Sequence, residues 1–125
     1  MEMLIEVITV PVSDVDRAKA FYVEKIGFHL DGDWKMEDKH YVQLTLVGSG
    51  CSICIGEGIT KAKPGSIDSL LLVVKDIHKT HDELVKKGVE VTDVEKMPWG
   101  AWHIYFSDPD GNKFSIQQKP PIQEQ

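Results

Sequence analysis

The chain has 125 residues, enough for one domain with a sizeable core, and its 42% hydrophobic and 27% charged residues are ordinary for a globular protein. Its net charge of −6 disfavours nucleic acid, whose phosphates need a basic face. No apolar run reaches membrane-spanning length, and the N-terminus lacks the pattern of a signal peptide, so the sequence predicts a cytoplasmic protein with neither nucleic acid nor membrane as partner.

Apolar periodicity and turn residues predict two helices and eight strands. Ser13 or Asp14 caps the first helix, whose apolar stripe includes Ala18 and Tyr22 and which ends at Gly27. The helices are predicted at residues 13–27 and 76–88, and the strands at 4–12, 28–34, 40–48, 51–56, 69–76, 89–94, 101–107 and 112–118. The second predicted strand, 28–34, is expected to turn around an Asp-Gly pair, Asp31 and Gly32.

Two cysteines stand at a spacing that occurs in redox and zinc sites. Cys51 and Cys54 form a C-x-x-C pair. In the strand predicted here, side chains three positions apart point to opposite faces, so the two sulfurs would diverge. No second Cys or His pair stands at zinc-finger spacing. We therefore interpret both cysteines as small hydrophobic residues of a strand.

The two halves of the chain repeat one order of elements. Asp14 opens the first helix and Asp76 the second, and each helix is followed by a glycine stop and three strands. The sequence thus predicts an α+β domain at 1–120 made of two βαβββ modules, about 1–58 and 66–120, joined by a linker at 57–66. Paired sheets of this kind curl around a cavity. The tail, 121–125, is expected to fray.

Two stretches carry a resemblance to a known family. "VPVSDVDRAKAFYVEKIGF" (10–28) and "IYFSDPDGNKFSI" (104–116) resemble the first strand-to-helix unit and the last hairpin of the vicinal oxygen chelate superfamily. That superfamily includes glyoxalase I, extradiol dioxygenases and bleomycin-resistance proteins. The resemblance covers nearly the whole chain. It implies a half-open mixed β-barrel cavity, a homodimer, and a divalent metal that two vicinal oxygens of the substrate chelate.

The acidic turn in the second stretch has a structural interpretation. Asp108 and Asp110 flank Pro109 in a run of turn-forming residues. In the family this turn fixes the hairpin, because its Asp side chains accept backbone N–H groups. Calcium would need more oxygen ligands at close spacing.

The resemblance also locates four metal-ligand positions, and their residues are poor ligands. The positions are occupied by Val7, Gln43, Leu70 and Ser115. Val and Leu donate nothing, and Gln and Ser offer only neutral oxygens, whereas divalent first-row metals favour imidazole, carboxylate or thiolate. We therefore expect neither a metal nor another cofactor.

Strand alternation predicts which side chains line the cavity. Because the resemblance turns Gln43 and Ser115 inward, Tyr41 and Gln117 follow, and a Tyr at the place of Tyr105 faces the active site of extradiol dioxygenases. The predicted lining is Val7, Thr9, Tyr41, Gln43, Leu70, Leu72, His103, Tyr105, Ser115 and Gln117. Trp99, beside Gly100, is placed at the cavity mouth, where it would either stack on a flat or cationic ligand or serve as a hydrophobic plug or dimer contact.

These residues favour a small-molecule ligand and leave the chemistry open. The first hypothesis is a metal-independent binding protein that sequesters an aromatic or cationic compound. The alternative is a lyase, isomerase or dioxygenase that uses a rearranged metal site or His103 and Tyr105 as an acid–base pair. A third is a degenerate paralogue with a structural or regulatory role.

Overall fold

Helix and strand order follows the predicted repeat. The computed structural model describes residues 1–121, so the predicted tail, except its first residue, lies outside the described part of the chain. The elements are β1 (Val7–Thr9), α1 (Val15–Ala20), a π-helical turn (Phe21–Ile26), β2 (His29–Met36), β3 (Lys39–Thr45), β4 (Ser52–Glu57), β5 (Leu70–Val73), α2 (Ile77–Lys86), β6 (Glu95–Lys96), β7 (Trp102–Ser107) and β8 (Lys113–Gln118). No helix of the described residues is long and apolar enough to cross a membrane.

The strands form two four-stranded mixed sheets. Their orders are β1-β4-β3-β2 and β5-β8-β7-β6, with β1 parallel to β4, β5 parallel to β8 and the other pairs antiparallel. The predicted α+β fold with two βαβββ repeats is confirmed. By their contacts, the residues divide into a first unit, Met1–Ile67 with Asp108–Asn112, and a second unit, Asp68–Ser107 with the chain from Lys113 on.

In the first unit, α1 covers one face of its sheet. Asp14 caps the helix by accepting a hydrogen bond from the Arg17 N–H at 3.0 Å. Gly27, at φ 94°, ends the π-helical turn in the left-handed conformation that favours glycine. The core consists of buried apolar side chains of this helical segment and of the helix-facing sides of the strands: Val15, Ala18, Tyr22, Val42, Leu44, Ile53 and Ile55.

A buried polar network holds the acidic turn within this unit. The Tyr22 hydroxyl donates to Asp108 Oδ2 at 2.6 Å, and Asn112 Nδ2 donates to the same oxygen at 2.8 Å. Asp108 Oδ1 accepts the backbone N–H groups of Asp110 and Asn112, each at 2.9 Å. Asn112 also donates to the Pro11 carbonyl at 2.8 Å. The structural interpretation of the turn is confirmed, since its carboxylate accepts backbone N–H groups.

In the second unit, α2 packs against the sheet in the same way. Asp76 caps α2 by accepting the Lys79 N–H at 3.1 Å. The Phe106 and Phe114 rings stack with centroids 5.0 Å apart on the buried side of the sheet. The buried apolar side chains are Ile77, Leu84, Ala101, Ile104, Phe106, Phe114 and Ile116. The opposite face of this sheet is therefore left for the polar residues of β7 and β8.

The first predicted strand, 4–12, is too long. Only Val7–Thr9 form β1, and Met3, Leu4 and Ile5 are 78%, 93% and 70% exposed. Among the residues that the structure describes, the only strand paired with β1 is β4, which begins at Ser52 opposite Val7. The Glu6 carbonyl accepts the Ser52 N–H at 3.0 Å, and the strand pairing begins there, so residues 4–6 lie before β1.

The predicted turn at Asp31 and Gly32 is wrong, because β2 runs through it. The register between β2 and β3 shifts between Leu30 and Gly32, as in a β-bulge, and pairing continues to Met36. The chain reverses later, at Glu37, which has φ 47°. A bulge and a turn favour the same Asp-Gly chemistry, so the local sequence did not separate them.

The predicted strand at 89–94 is also wrong; a two-residue strand, Glu95–Lys96, forms instead. The Thr92 N–H donates to the Tyr105 carbonyl at 3.1 Å, but the Tyr105 N–H donates to Thr92 Oγ1 at 2.9 Å. A side-chain oxygen thus replaces a backbone carbonyl and interrupts the ladder.

Replacing Tyr22 by Phe tests the buried network. Tyr22→Phe removes the hydroxyl that donates to the Asp108 carboxylate and should lower the free energy of unfolding by about 2 kcal/mol, the usual loss for a hydrogen bond to a charged group. Urea unfolding followed by circular dichroism measures the change. Tyr105→Phe is the control, because the Tyr105 side chain is exposed. Equal stability of the two variants would contradict the role of Tyr22.

The same tyrosine predicts a loss of stability at alkaline pH. Burial, and then the Asp108 carboxylate, raises the pKa of Tyr22 far above its ordinary value of 10.0. The stability that the protonated phenol contributes is complete below pH 10 and declines above it, because only the unfolded chain then loses the proton. The decline approaches about 1.4 kcal/mol per pH unit. Urea unfolding at pH 8 and pH 11 should show a smaller loss in Tyr22→Phe; equal losses would contradict it.

Candidate ligand-binding site

Four predicted site residues share one face of the second sheet. The register pairs His103 with Gln117 and Tyr105 with Ser115 across β7 and β8, and paired residues point to the same side. Ile104 and Phe106 alternate with them and are buried on the other side. We call the set His103, Tyr105, Ser115 and Gln117 the polar face of the second sheet.

Hydrogen bonds fix the tautomer of His103. Its Nε2 lies 3.0 Å from Gln117 Oε1, and its Nδ1 lies 3.3 Å from the Tyr105 hydroxyl. An amide oxygen only accepts, so Nε2 carries the proton of the neutral imidazole. Nδ1 is then the acceptor and Tyr105 the donor. The three side chains form one connected chain of donors and acceptors.

Trp99 stands next to this face on a tight turn. The Met97 N–H donates to the Ala101 carbonyl at 2.7 Å, and the Gly100 N–H donates to the Met97 carbonyl at 2.9 Å. The Trp99 and His103 ring centroids are 6.1 Å apart with planes at 85°. The Trp99 side chain is 63% exposed. The structure thus brings Trp99 together with His103 as an exposed aromatic surface.

The predicted inward positions of Leu70 and Leu72 are wrong by one residue. β5 pairs in parallel with β8 so that Leu71 stands beside Ser115 and Val73 beside Gln117, whereas Leu70 stands beside the buried Phe114. Leu71 and Val73 are 54% and 60% exposed. The prediction counted back from Asp76, and that count does not fix the register of a parallel pair. Leu71 and Val73 therefore add an apolar border to the polar face.

The first sheet has a polar face of its own, opposite α1. Tyr41 and Gln43 lie on it as predicted, with the Tyr41 hydroxyl donating to Gln43 Oε1 at 3.0 Å. Thr9 Oγ1 lies 3.3 Å from the sulfur of Cys54, a buried free thiol. Burial, and then the Cys54 thiol, raises the pKa of Tyr41. The hydroxyl groups of Tyr41 and Tyr105 therefore each donate a hydrogen bond to a neighbouring side chain.

Sequence reasoning missed Asp31 on this first polar face. The Thr45 hydroxyl donates to Asp31 Oδ2, and His29 Nδ1 lies 3.0 Å from Asp31 Oδ1. Hydrogen bonds from Thr45, then His29, hold the pKa of this carboxyl below its ordinary range, with a smaller contribution from Gln43. The β-bulge next to Asp31 was the available signal, but the Asp-Gly pair was interpreted as a turn.

His40 points away from the first polar face, as alternation along β3 requires. Its Nε2 lies 2.5 Å from Asp33 Oδ1, and Lys19 on α1 donates to the other Asp33 oxygen at 2.7 Å. Lys19, and then His40, lower the pKa of Asp33. This buried histidine therefore has a structural partner.

A family model matches residues 4–116, which is nearly the whole chain, and its description is glyoxalase/bleomycin resistance protein/dioxygenase superfamily. The chain belongs to this superfamily. The membership agrees with the two βαβββ repeats and with the acidic turn between β7 and β8.

Solved structures of this superfamily resemble the chain closely. TnmS3 from Streptomyces sp. CB03234, described as an antibiotic-binding protein, is 33% identical with a TM-score of 0.86, covering 96% of this chain and 98% of its own. A superfamily member from Sphaerobacter thermophilus is 30% identical with a TM-score of 0.84, covering 94% and 98%. The uncharacterised protein YetH of Bacillus subtilis is 27% identical over 89% of this chain and 94% of YetH.

The residues at the superfamily's metal positions do not fit a divalent metal. Val7 supplies no donor, and the Gln43 oxygen already accepts the Tyr41 hydroxyl. Moving the third position from Leu70 to Leu71 exchanges one hydrocarbon side chain for another. Among residues 1–121, no group of three or more His, Cys, Asp or Glu side chains is arranged to hold a metal ion.

Metal analysis tests this interpretation. Tag-free protein purified without chelator should contain far less than one divalent ion per chain, because the four positions provide no anionic or imidazole ligand. Plasma mass spectrometry measures the content before and after incubation with Zn²⁺ or Mn²⁺ and removal of free ion. A stoichiometric ion that survives this removal would contradict the interpretation.

Proposed function

We propose that this protein is a metal-independent binding protein that sequesters a small aromatic or cationic compound. Its binding surface is the polar face of the second sheet together with Trp99. The observation that carries the proposal is the exposed aromatic set: Trp99 lies beside His103, and His103 is hydrogen-bonded to Tyr105. No step of this function requires the superfamily's metal.

The exposure of this surface supports a ligand. Leu71, Val73, Trp99 and Tyr105 are 54%, 60%, 63% and 37% exposed. Large apolar side chains grouped around a few polar atoms are typical of binding surfaces, because the apolar groups supply the driving force and the polar groups fix orientation. Trp99 offers a flat ring for stacking or for a cation.

The comparison with solved structures supports the same class of function. TnmS3, which matches almost the whole chain at 33% identity, is described as an antibiotic-binding protein. The present chain shares its fold, and fold alone leaves the ligand open. We therefore extend small-molecule binding to this chain as a proposal and choose no particular antibiotic.

The first polar face, the assembly and the location belong to the same proposal. Tyr41 and Gln43 provide further ligand contacts within the first unit, next to the Trp34 ring, whose centroid lies 5.6 Å from that of Tyr41. We also propose a cytoplasmic homodimer, because the superfamily resemblance implies a dimer. The module bounds 1–58 and 66–120 remain predictions.

The alternative function is catalysis by His103 and Tyr105. The contact between Nδ1 and the phenol, at 3.3 Å, favours it, because a histidine and a tyrosine in contact can pass a proton. A lyase, isomerase or dioxygenase of the superfamily would use such a pair. His103→Ala should then abolish turnover of a glyoxalase-type or catechol-type substrate, and unchanged turnover would remove His103 from the reaction.

A fluorescence titration with acridine orange, a flat aromatic cation, tests the proposed surface. Trp99→Ala should weaken binding about tenfold, since it removes the stacking ring. Trp102→Phe is the matched control, because Trp102 lies on the other side of β7, where Lys96 Nζ stands 5.4 Å from its ring centroid. Equal affinities of Trp99→Ala and the unsubstituted protein would contradict the proposed surface.

A further inference from the structure

The polar face of the second sheet has a defined hydrogen-bond polarity. The Gln117 oxygen accepts from His103 Nε2 at 3.0 Å, so His103 Nδ1 has no proton and accepts from Tyr105 at 3.3 Å. A phenol has one proton, and here that proton points at the imidazole. The Tyr105 oxygen therefore presents only lone pairs to a ligand.

The backbone holds Tyr105 in the position that this polarity needs. Its N–H donates to Thr92 Oγ1 at 2.9 Å, and its carbonyl accepts the Thr92 N–H at 3.1 Å. The register with Ser115 fixes the strand on the other side. The Tyr105 side chain is 37% exposed, so the ring is accessible while the backbone of this residue stays anchored. The phenol oxygen is thus a preorganised acceptor.

Glu95 adds acceptor oxygens on the same side of the sheet. β6 pairs with β7 so that Glu95 stands opposite His103, and paired residues share a face. Lys96, the next residue, points to the other side, where its Nζ lies 5.4 Å from the Trp102 ring centroid. The alternation therefore places a carboxylate, and not the neighbouring ammonium, next to His103.

The first sheet repeats the arrangement with different residues. The Tyr41 hydroxyl donates to Gln43 Oε1 at 3.0 Å, so its oxygen also keeps only lone pairs for a ligand. In both halves the tyrosine hydroxyl donates its proton within the protein and leaves its oxygen as an acceptor. The first half uses a Tyr–Gln pair and the second a Tyr–His–Gln chain.

We propose that the surface around Trp99 selects aromatic compounds that carry a hydroxyl or amino hydrogen-bond donor, and that the Tyr105 oxygen accepts the hydrogen bond from this donor. The inference rests on the proposed function and names its ligand class. A ring stacked on Trp99 with an O–H or N–H group at Tyr105 satisfies both features. The same ring with an ether or carbonyl oxygen in that place meets lone pairs with lone pairs.

Two naphthalenes of similar shape test the selection. 2-Naphthol carries a donor, and 2-methoxynaphthalene replaces it with an acceptor. In ligand-observed NMR titrations, the unsubstituted protein should bind 2-naphthol about fivefold more tightly, the usual value of one neutral hydrogen bond. In Tyr105→Phe this preference should disappear, because 2-naphthol loses affinity whereas 2-methoxynaphthalene does not. Glu90→Gln, an acid outside the strands, is the control and should keep the preference.

The outcomes separate this inference from the proposed function. Binding of both naphthalenes with equal or reversed preference overturns the inference and leaves the binding function standing. Binding of neither overturns both. An independent readout is the ¹⁵N spectrum of His103, which distinguishes a protonated from an unprotonated ring nitrogen. A proton on Nδ1 at neutral pH would overturn the inference whatever the ligands do.

Discussion

The buried Asp108 carboxylate is the constraint on which the site depends. A carboxylate 5% exposed would be costly without partners. Here it accepts the Tyr22 hydroxyl, the Asn112 side chain and two backbone N–H groups of its own turn. The fixed turn sets where β7 ends and β8 begins, so the pairings of Tyr105 with Ser115 and of His103 with Gln117 follow from it.

The sequence predicted those elements whose causes are local. The caps at Asp14 and Asp76 and the tight turn between β7 and β8 depend on neighbouring residues. Alternation grouped His103 with Tyr105 and Ser115 with Gln117 within their strands, and the structure pairs the two groups on one face. The order of the predicted elements in the two halves showed the repeat of the βαβββ unit, and the family resemblance supplied the side of each strand that faces inward.

The errors arose where partners distant in the chain decide the structure. The parallel register of β5 with β8 brings Leu71, and not Leu70, beside Ser115. Residues 4–6 lie outside β1 because the pairing with β4 begins at Ser52, whose N–H donates to the Glu6 carbonyl, although their apolar pattern resembles a strand. Asp31 was missed for a different reason, because the same Asp-Gly chemistry serves a turn and a bulge.

At the positions where the superfamily resemblance implies metal ligands, this chain carries side chains that do not suit a divalent metal. Val7 and the leucine on β5 offer no metal ligand, and the Gln43 oxygen already accepts a hydrogen bond from the Tyr41 hydroxyl. The polar atoms that remain are ordered by hydrogen bonds into acceptors beside exposed aromatic rings. We propose that this arrangement recognises a ligand by stacking and donor position, with no cation to organise it.

The most direct test of this account is a calorimetric titration of acridine orange into the protein in excess EDTA and again with Zn²⁺ or Mn²⁺ in place of the chelator. The account predicts the same dissociation constant and a stoichiometry of one under both conditions, because protein side chains alone form the surface. Binding that appears only when the divalent ion is present would contradict it.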